Sequence, residues 1–123
     1  MPSIVFFEVP ADDPKRSQKF YEDVFGWEFK KMPGERDYWW ITPEKVKDGK
    51  GIEGGMRRRG LPENYILNYI GVKSVDETLV KIETGGGRVL VRKSPVTGQG
   101  WYAICIDTED NRFALWQEDT EAP

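Results

Sequence analysis

The chain contains no histidine, and that absence limits the chemistry open to its other reactive residues. A Ser–His–Asp triad is excluded, as is imidazole acting as a general base or metal ligand. The single cysteine, Cys105, sits in the apolar run YAICI without basic neighbours that would make a thiolate, so a buried, reduced and inert thiol is expected. Arg57, Arg58 and Arg59 in succession would suit an anion, yet alternation along a strand divides them between faces, and a solvated strand end is the expected role. Lys45 to Lys50 (KVKDGK) reads as a solvated loop. Gly85, Gly86 and Gly87 follow a helical pattern instead of opening one, so they predict a helix cap and turn, not a phosphate cradle.

The elements that would position any site form one pattern written twice, about sixty-one residues apart. Ile4 to Val9 (IVFFEV) is a strand by its β-branched and aromatic content. Asp13 is placed to cap a helix with Pro14 at its first position, and Phe20, Tyr21, Val24 and Phe25 recur at helical spacing as the side that must pack on a sheet. Gly26 ends that helix, and strands follow over Trp27 to Lys30, Asp37 to Thr42 and Ile52 to Arg58. The second half repeats the order. Tyr65 to Val72 is a strand; Ser74 is an N-cap with Glu77 three residues on; Val75, Leu79 and Ile82 make the apolar stripe; and strands cover Arg88 to Arg92, Trp101 to Asp107 and Arg112 to Gln117. The offset lays Asp13 on Ser74, Gly26 on Gly87 and the Ile52 strand on the Phe113 strand.

Composition bounds the class. At 123 residues, with 38% hydrophobic and 13% aromatic content, the chain can build one sizeable core and is not disordered. No apolar run approaches the roughly 18 residues of a membrane span, and the N-terminus lacks a basic segment followed by an apolar one. A net charge of −3 argues against nucleic acid as the main partner. One unpaired cysteine fits a cytoplasmic protein. The closing residues DTEAP are polar and expected to fray.

The runs from Phe7 to Trp27 (FEVPADDPKRSQKFYEDVFGW), from Ile52 (IEGGM), from Gly85 (GGGRVL) and from Gly100 (GWYAICIDTEDNRFALWQ) resemble the vicinal oxygen chelate superfamily, which includes glyoxalase I, bleomycin-resistance proteins and extradiol dioxygenases. The resemblance covers essentially the whole chain. It implies an α+β fold of two tandem βαβββ modules, about 1–60 and 61–123, whose mixed sheet curls around a cavity within a single domain. Metal-dependent members place one ligand on the first and last strand of each module. At the matching positions this chain has Phe6, Glu53, Leu67 and Ala114, a set with one carboxylate that is too poor for a catalytic metal, so no cofactor is expected. Glu8, two residues from Phe6, shares its face and is the only other acid there to join Glu53 in holding a hard ion.

The same alternation lines the implied cavity with Phe6, Glu8, Trp40 (or Trp39), Glu53, Leu67, Tyr69, Trp101 (or Tyr102), Ala114 and Trp116. Such walls favour flat or cationic organic ligands. The leading expectation is a metal-free binding protein for a small aromatic or cationic molecule. An alternative is a lyase or isomerase of the glyoxalase type in which Glu8 or Glu53, desolvated against aromatic rings, abstracts a proton. A further alternative is a regulatory module with a vestigial cavity. A plainer role for Glu8 is an ion pair with a nearby Arg or Lys. By resemblance the chain is expected to form a homodimer.

Overall fold

The computed structural model describes residues 2–34, 36–43, 51–60 and 64–123; the KVKDGK segment lies outside the described residues. The elements run β1 (Ser3–Ala11), α1 (Pro14–Phe25), β2 (Glu28–Lys31), β3 (Tyr38–Thr42), β4 (Glu53–Arg58), β5 (Leu67–Gly71), α2 (Val75–Thr84), β6 (Arg88–Val96), β7 (Gly100–Ile106) and β8 (Arg112–Glu118). The order is βαβββ twice. The chain forms two compact units, Phe6–Ile66 and Leu67–Pro123, the latter taking in Met1–Val5.

In the Phe6–Ile66 unit, β1 lies parallel to β4, and β4, β3 and β2 follow antiparallel, giving a mixed sheet. Pairing of β1 with β4 runs unbroken from Phe6↔Glu53 to Ala11↔Arg58, without a bulge at the Gly54–Gly55 pair. One face carries Val9, Ala11, Ile41 and Met56, packed with Phe7, Tyr21, Trp27, Phe29 and Trp39 under α1. The Asp13 carboxylate accepts the Arg16 N–H, Pro14 occupies the first turn, and Gly26 closes the helix at φ 70°, a left-handed conformation that glycine adopts without a Cβ clash.

The apolar stripe of α1 packs only in part. Tyr21 stacks on Trp27 at 4.8 Å, whereas Phe20, Val24 and Phe25 stay 55–56% exposed. At about 100° per residue, Phe20 and Val24 project from a flank well away from the line through Pro14, Gln18 and Tyr21 that meets the sheet.

The Leu67–Pro123 unit repeats the plan: β5 parallel to β8, then β7 and β6 antiparallel. Here the helical stripe packs as expected, with Val75 and Leu79 buried against Ala103, Cys105 and Leu115. Ser74 Oγ accepts the Glu77 N–H, and the Gln117 side-chain carbonyl accepts the Val75 N–H from across the sheet. This helix stops at Gly85, two residues short of the Gly87 position that the offset implied, and is correspondingly shorter. Pairing in β6 shifts between Val89 and Val91 and again before Ser94, which lets the strand run on to Val96. The C-terminal residues do not fray. Asp119 accepts the Trp101 indole N–H at 3.0 Å, Gly98 N–H donates to the Ala122 carbonyl, and Ala122 is buried. The indole and the Glu121 N–H hold the Asp119 carboxyl below the ordinary carboxylate range. No described helix is long and apolar enough to cross a membrane.

Candidate functional site

On the sheet face of the Phe6–Ile66 unit away from α1, alternation brings Phe6 and Glu8 from β1, Tyr38 and Trp40 from β3, and Glu53, Gly55 and Arg57 from β4 together. Trp39 points the other way, into the cluster under α1. At the centre lies a buried carboxylate. Glu8 is 5% exposed, its Oε1 accepts from Arg57 Nε at 2.7 Å, and its Oε2 accepts from the Tyr38 hydroxyl at 2.8 Å. The Arg57 guanidinium also donates to the carbonyls of Tyr65 and Arg58. A charge withdrawn from water needs this density of donors and acceptors to persist. Gly55, opposite Glu8, makes the arrangement possible: a Cβ there would run into the Tyr38 hydroxyl that crosses it.

Arg57 is therefore not part of a solvated strand end. It is 5% exposed and closes an ion pair, while Arg58 and Arg59 reach Asp37 and Asp12 at the surface. Alternation does divide the three arginines between faces, and the acid that holds Arg57 buried lies three strands earlier in the chain. Glu8 thus takes the plainest of its expected roles, an ion pair with an arginine.

Glu53 stands opposite Phe6 on the same face but is exposed, so it is not the desolvated base that proton abstraction would need. Beside it, Phe6 meets Trp40 edge to face at 5.4 Å, and Tyr38 meets Trp40 in the same manner at 6.5 Å. These three rings and one exposed carboxylate form an aromatic surface bordered by a negative charge.

In the Leu67–Pro123 unit, the face away from α2 carries Leu67, Tyr69, Tyr102, Ala114 and Trp116. Leu67 and Ala114 are 1% and 0% exposed and pack with Ile104 in an apolar cluster. Register sets Tyr69, not Leu67, opposite Ala114, so the two modules differ by one step along the shared face. Trp101 does not belong here. It packs in the cluster under α2, with Lys93 over its ring at 4.5 Å and its N–H on Asp119. Tyr102, its neighbour, takes the position opposite Trp116. The burial of Ala103 and Cys105 under α2, one and three residues after Tyr102, sets that phase, a signal present in the sequence as the small residues of WYAIC. Burial raises the Cys105 thiol to about 11, consistent with an inert core residue.

The four positions at which metal-dependent members carry ligands do not fit a metal here. They supply Phe6, an exposed Glu53, and two side chains enclosed in hydrocarbon. Among the described residues, no three His, Cys, Asp or Glu side chains gather in a way that could hold an ion.

Comparison with known proteins bears on this geometry. The bleomycin resistance protein-like N-terminal family model matches residues 3–40. A glyoxylase-like domain-containing protein of Didymella fabae is 27% identical over 117 residues, covering 88% of each chain. A crystal structure of a glyoxalase/bleomycin resistance protein/dioxygenase superfamily member from Vibrio splendidus superposes with a TM-score of 0.68 at 14% identity, covering 97% of this chain and 100% of that one. The chain shares the fold of that structure, and its N-terminal third is similar to bleomycin-resistance-like proteins. An anthracycline biosynthesis protein, DauV, of Streptomyces sp. (strain C5) is 24% identical over 131 residues; the match takes in 92% of this chain but only 46% of that protein's length. The chain keeps the paired βαβββ plan, and at three of the four positions where the resemblance would put metal ligands it carries Phe6, Leu67 and Ala114.

Proposed function

We propose that this chain is a metal-independent binding protein for a flat, cationic aromatic molecule, which stacks on the Trp40–Phe6 surface with Glu53 meeting its positive charge. The observation that carries the reading is the division of labour between the two acids. Glu8 has both oxygens engaged by Arg57 and Tyr38, whereas Glu53 borders the rings and is exposed. A carboxylate at the margin of an electron-rich aromatic surface favours a delocalised cation over a neutral or anionic molecule, each cation–π contact adding about 0.5 to 2 kcal/mol. The relationship to a protein named for anthracycline biosynthesis supports a fused-ring ligand class.

Titration of tryptophan fluorescence with a panel of cationic and neutral aromatic compounds, with Mn²⁺, Ni²⁺ and Zn²⁺ in parallel, tests this. Saturable quenching by cationic aromatics, lost in Trp40→Ala and weakened several-fold for cations but not for neutral rings in Glu53→Gln, is expected. A stoichiometric metal response that a chelator reverses would overturn it.

A further inference from the structure

Trp40 has a second charged neighbour on its face of the sheet. On β2, Phe29 packs under α1, so Lys30 turns to the opposite face, where the pairing with β3 sets it against Trp40. On its other side Trp40 is opposed by Gly55, and Glu53 lies two residues from Gly55 on the same strand and face. The indole therefore has an exposed ammonium on one flank and an exposed carboxylate on the other. The other charges of this face are satisfied. Arg57 and Glu8 neutralise one another, and Glu28, opposite Thr42, has a partner of its own. Among the described residues, neither the Lys30 nor the Glu53 side chain closes an ion pair or a hydrogen bond. The next residue along β2 shows the contrast: Lys31, on the α1 side, lies over the Trp39 ring at 5.9 Å and donates to the carbonyls of Met32 and Arg36.

We propose that Lys30 is a specificity-determining residue of the Trp40 surface, and that the molecule taken there is zwitterionic. It is a flat aromatic cation that also carries a carboxylate or similar oxyanion, with its ring on Trp40, its cation at Glu53 and its oxyanion at Lys30. This rests on the ligand reading above and narrows it. A ligand with positive charge alone is repelled by the Lys30 ammonium, and one with negative charge alone is repelled by Glu53 and by the electron-rich ring face. A molecule with both charges meets neither repulsion, provided they are spaced to match. Lys30 and Glu53 stand two strand spacings apart and two residues out of line, which puts their Cα atoms about 12 Å apart. Both side chains reach inward from there, so the opposite charges of the ligand sit at the two ends of a fused-ring frame.

Rhodamine B and its ethyl ester provide the test, because both carry the same flat xanthylium cation and only the former has a free carboxylate. Fluorescein, with a similar ring frame and no cation, is the third probe. Binding of each to the full chain is followed by dye anisotropy at low ionic strength, where contacts between exposed charges are least screened. Wild type is expected to hold rhodamine B about two- to fivefold tighter than the ester, the range of one exposed ion pair, and to hold fluorescein weakest. Lys30→Gln abolishes the preference by weakening rhodamine B alone, and Lys30→Glu inverts it. Glu53→Gln weakens both rhodamines alike and leaves their ratio unchanged. A lysine that served only to guard the sheet edge against pairing with other strands would leave the ratio the same in Lys30→Gln. That result overturns the proposal, as does equal affinity for the two rhodamines, or fluorescein binding as tightly as rhodamine B. If the rhodamines still require Trp40 in the first two cases, the cationic-aromatic reading stands without this refinement. Binding of neither rhodamine, or binding indifferent to Trp40→Ala, overturns that reading and this proposal with it.

Discussion

Removing one member of the Glu8–Arg57 pair is expected to cost far more than removing both. The side chains are 7% and 6% exposed and 2.7 Å apart, so Glu8→Gln leaves a guanidinium in a place from which water is nearly excluded. Breaking a buried pair in this way typically costs about 3 to 5 kcal/mol, whereas exposed pairs contribute about 0 to 1. Against a total stability of roughly 5 to 15 kcal/mol for a domain, the single change removes from about a fifth to nearly all of it. With a urea slope of about 1.5 to 2 kcal/mol per molar, the denaturation midpoint falls by about 2 M. Arg57→Met strands the carboxylate with the Tyr38 hydroxyl and costs a similar amount. The double variant Glu8→Leu with Arg57→Met places hydrocarbon where two charges stood and is expected to cost less than either single change, since apolar replacement of a whole buried pair is often neutral. Urea unfolding followed by tryptophan fluorescence, with the slope checked for constancy, completes the cycle. Singles that cost under about 1 kcal/mol, or a double variant whose loss equals their sum, would refute the claim that the pair is buried and coupled.

Other consequences are equally open to measurement. Gly55→Ala displaces the Tyr38 ring and with it the hydrogen bond to Glu8, so its cost should equal or exceed that of Tyr38→Phe, about 1.5 to 3 kcal/mol for a bond to a charged group; a neutral Gly55→Ala would show that Tyr38 does not cross this glycine. Cys105 should resist iodoacetamide in the native state at pH 8 and react on unfolding. Because its folded value of about 11 lies above the ordinary thiol value, stability is intact below about pH 8.5 and declines as pH rises toward 11, by up to about 3 kcal/mol if the fold survives; a flat stability profile across that window in wild type relative to Cys105→Ala would contradict the buried assignment. Ser74→Ala removes the acceptor of the Glu77 N–H and should destabilise by about 1 kcal/mol in thermal unfolding, with Gln117→Ala adding a comparable loss by freeing the Val75 N–H.

Order and number of the elements, and the starts of both helices, were legible in the sequence because their causes are local, whereas β6 ran on to Val96 and β5 fell short of Tyr65. Asp13 with Pro14, Ser74 with Glu77, and Gly26 act on backbone groups within one turn, and the apolar runs declare strands whatever they pair with. The placement of Phe6, Glu8 and Trp40 on one face, with Trp39 opposite, follows from unbroken alternation over strands without a bulge. The superfamily resemblance was readable for the same reason, since it rests on punctuation and strand content.

The assembled fold decided what depends on partners distant in the chain. Arg57 and Glu8 are forty-nine positions apart, and only the parallel pairing of β1 with β4 sets them on one face. The choice of Trp101 or Tyr102 for the face away from α2 turned on which of them the burial of Ala103 and Cys105 left outward. The C-terminal residues, polar and short, looked free until Trp101 supplied a donor for Asp119. Most telling is α1, whose four apolar positions implied a single packed stripe. Periodicity states that a helix has an apolar side, but the sheet beneath it selects which part of that side is covered, and here it took Tyr21 and left Phe20 and Val24 to solvent. Local chemistry specifies the elements; only their mutual docking specifies which of their groups lose water, and burial is what turns a carboxylate, an arginine or a phenylalanine into a site.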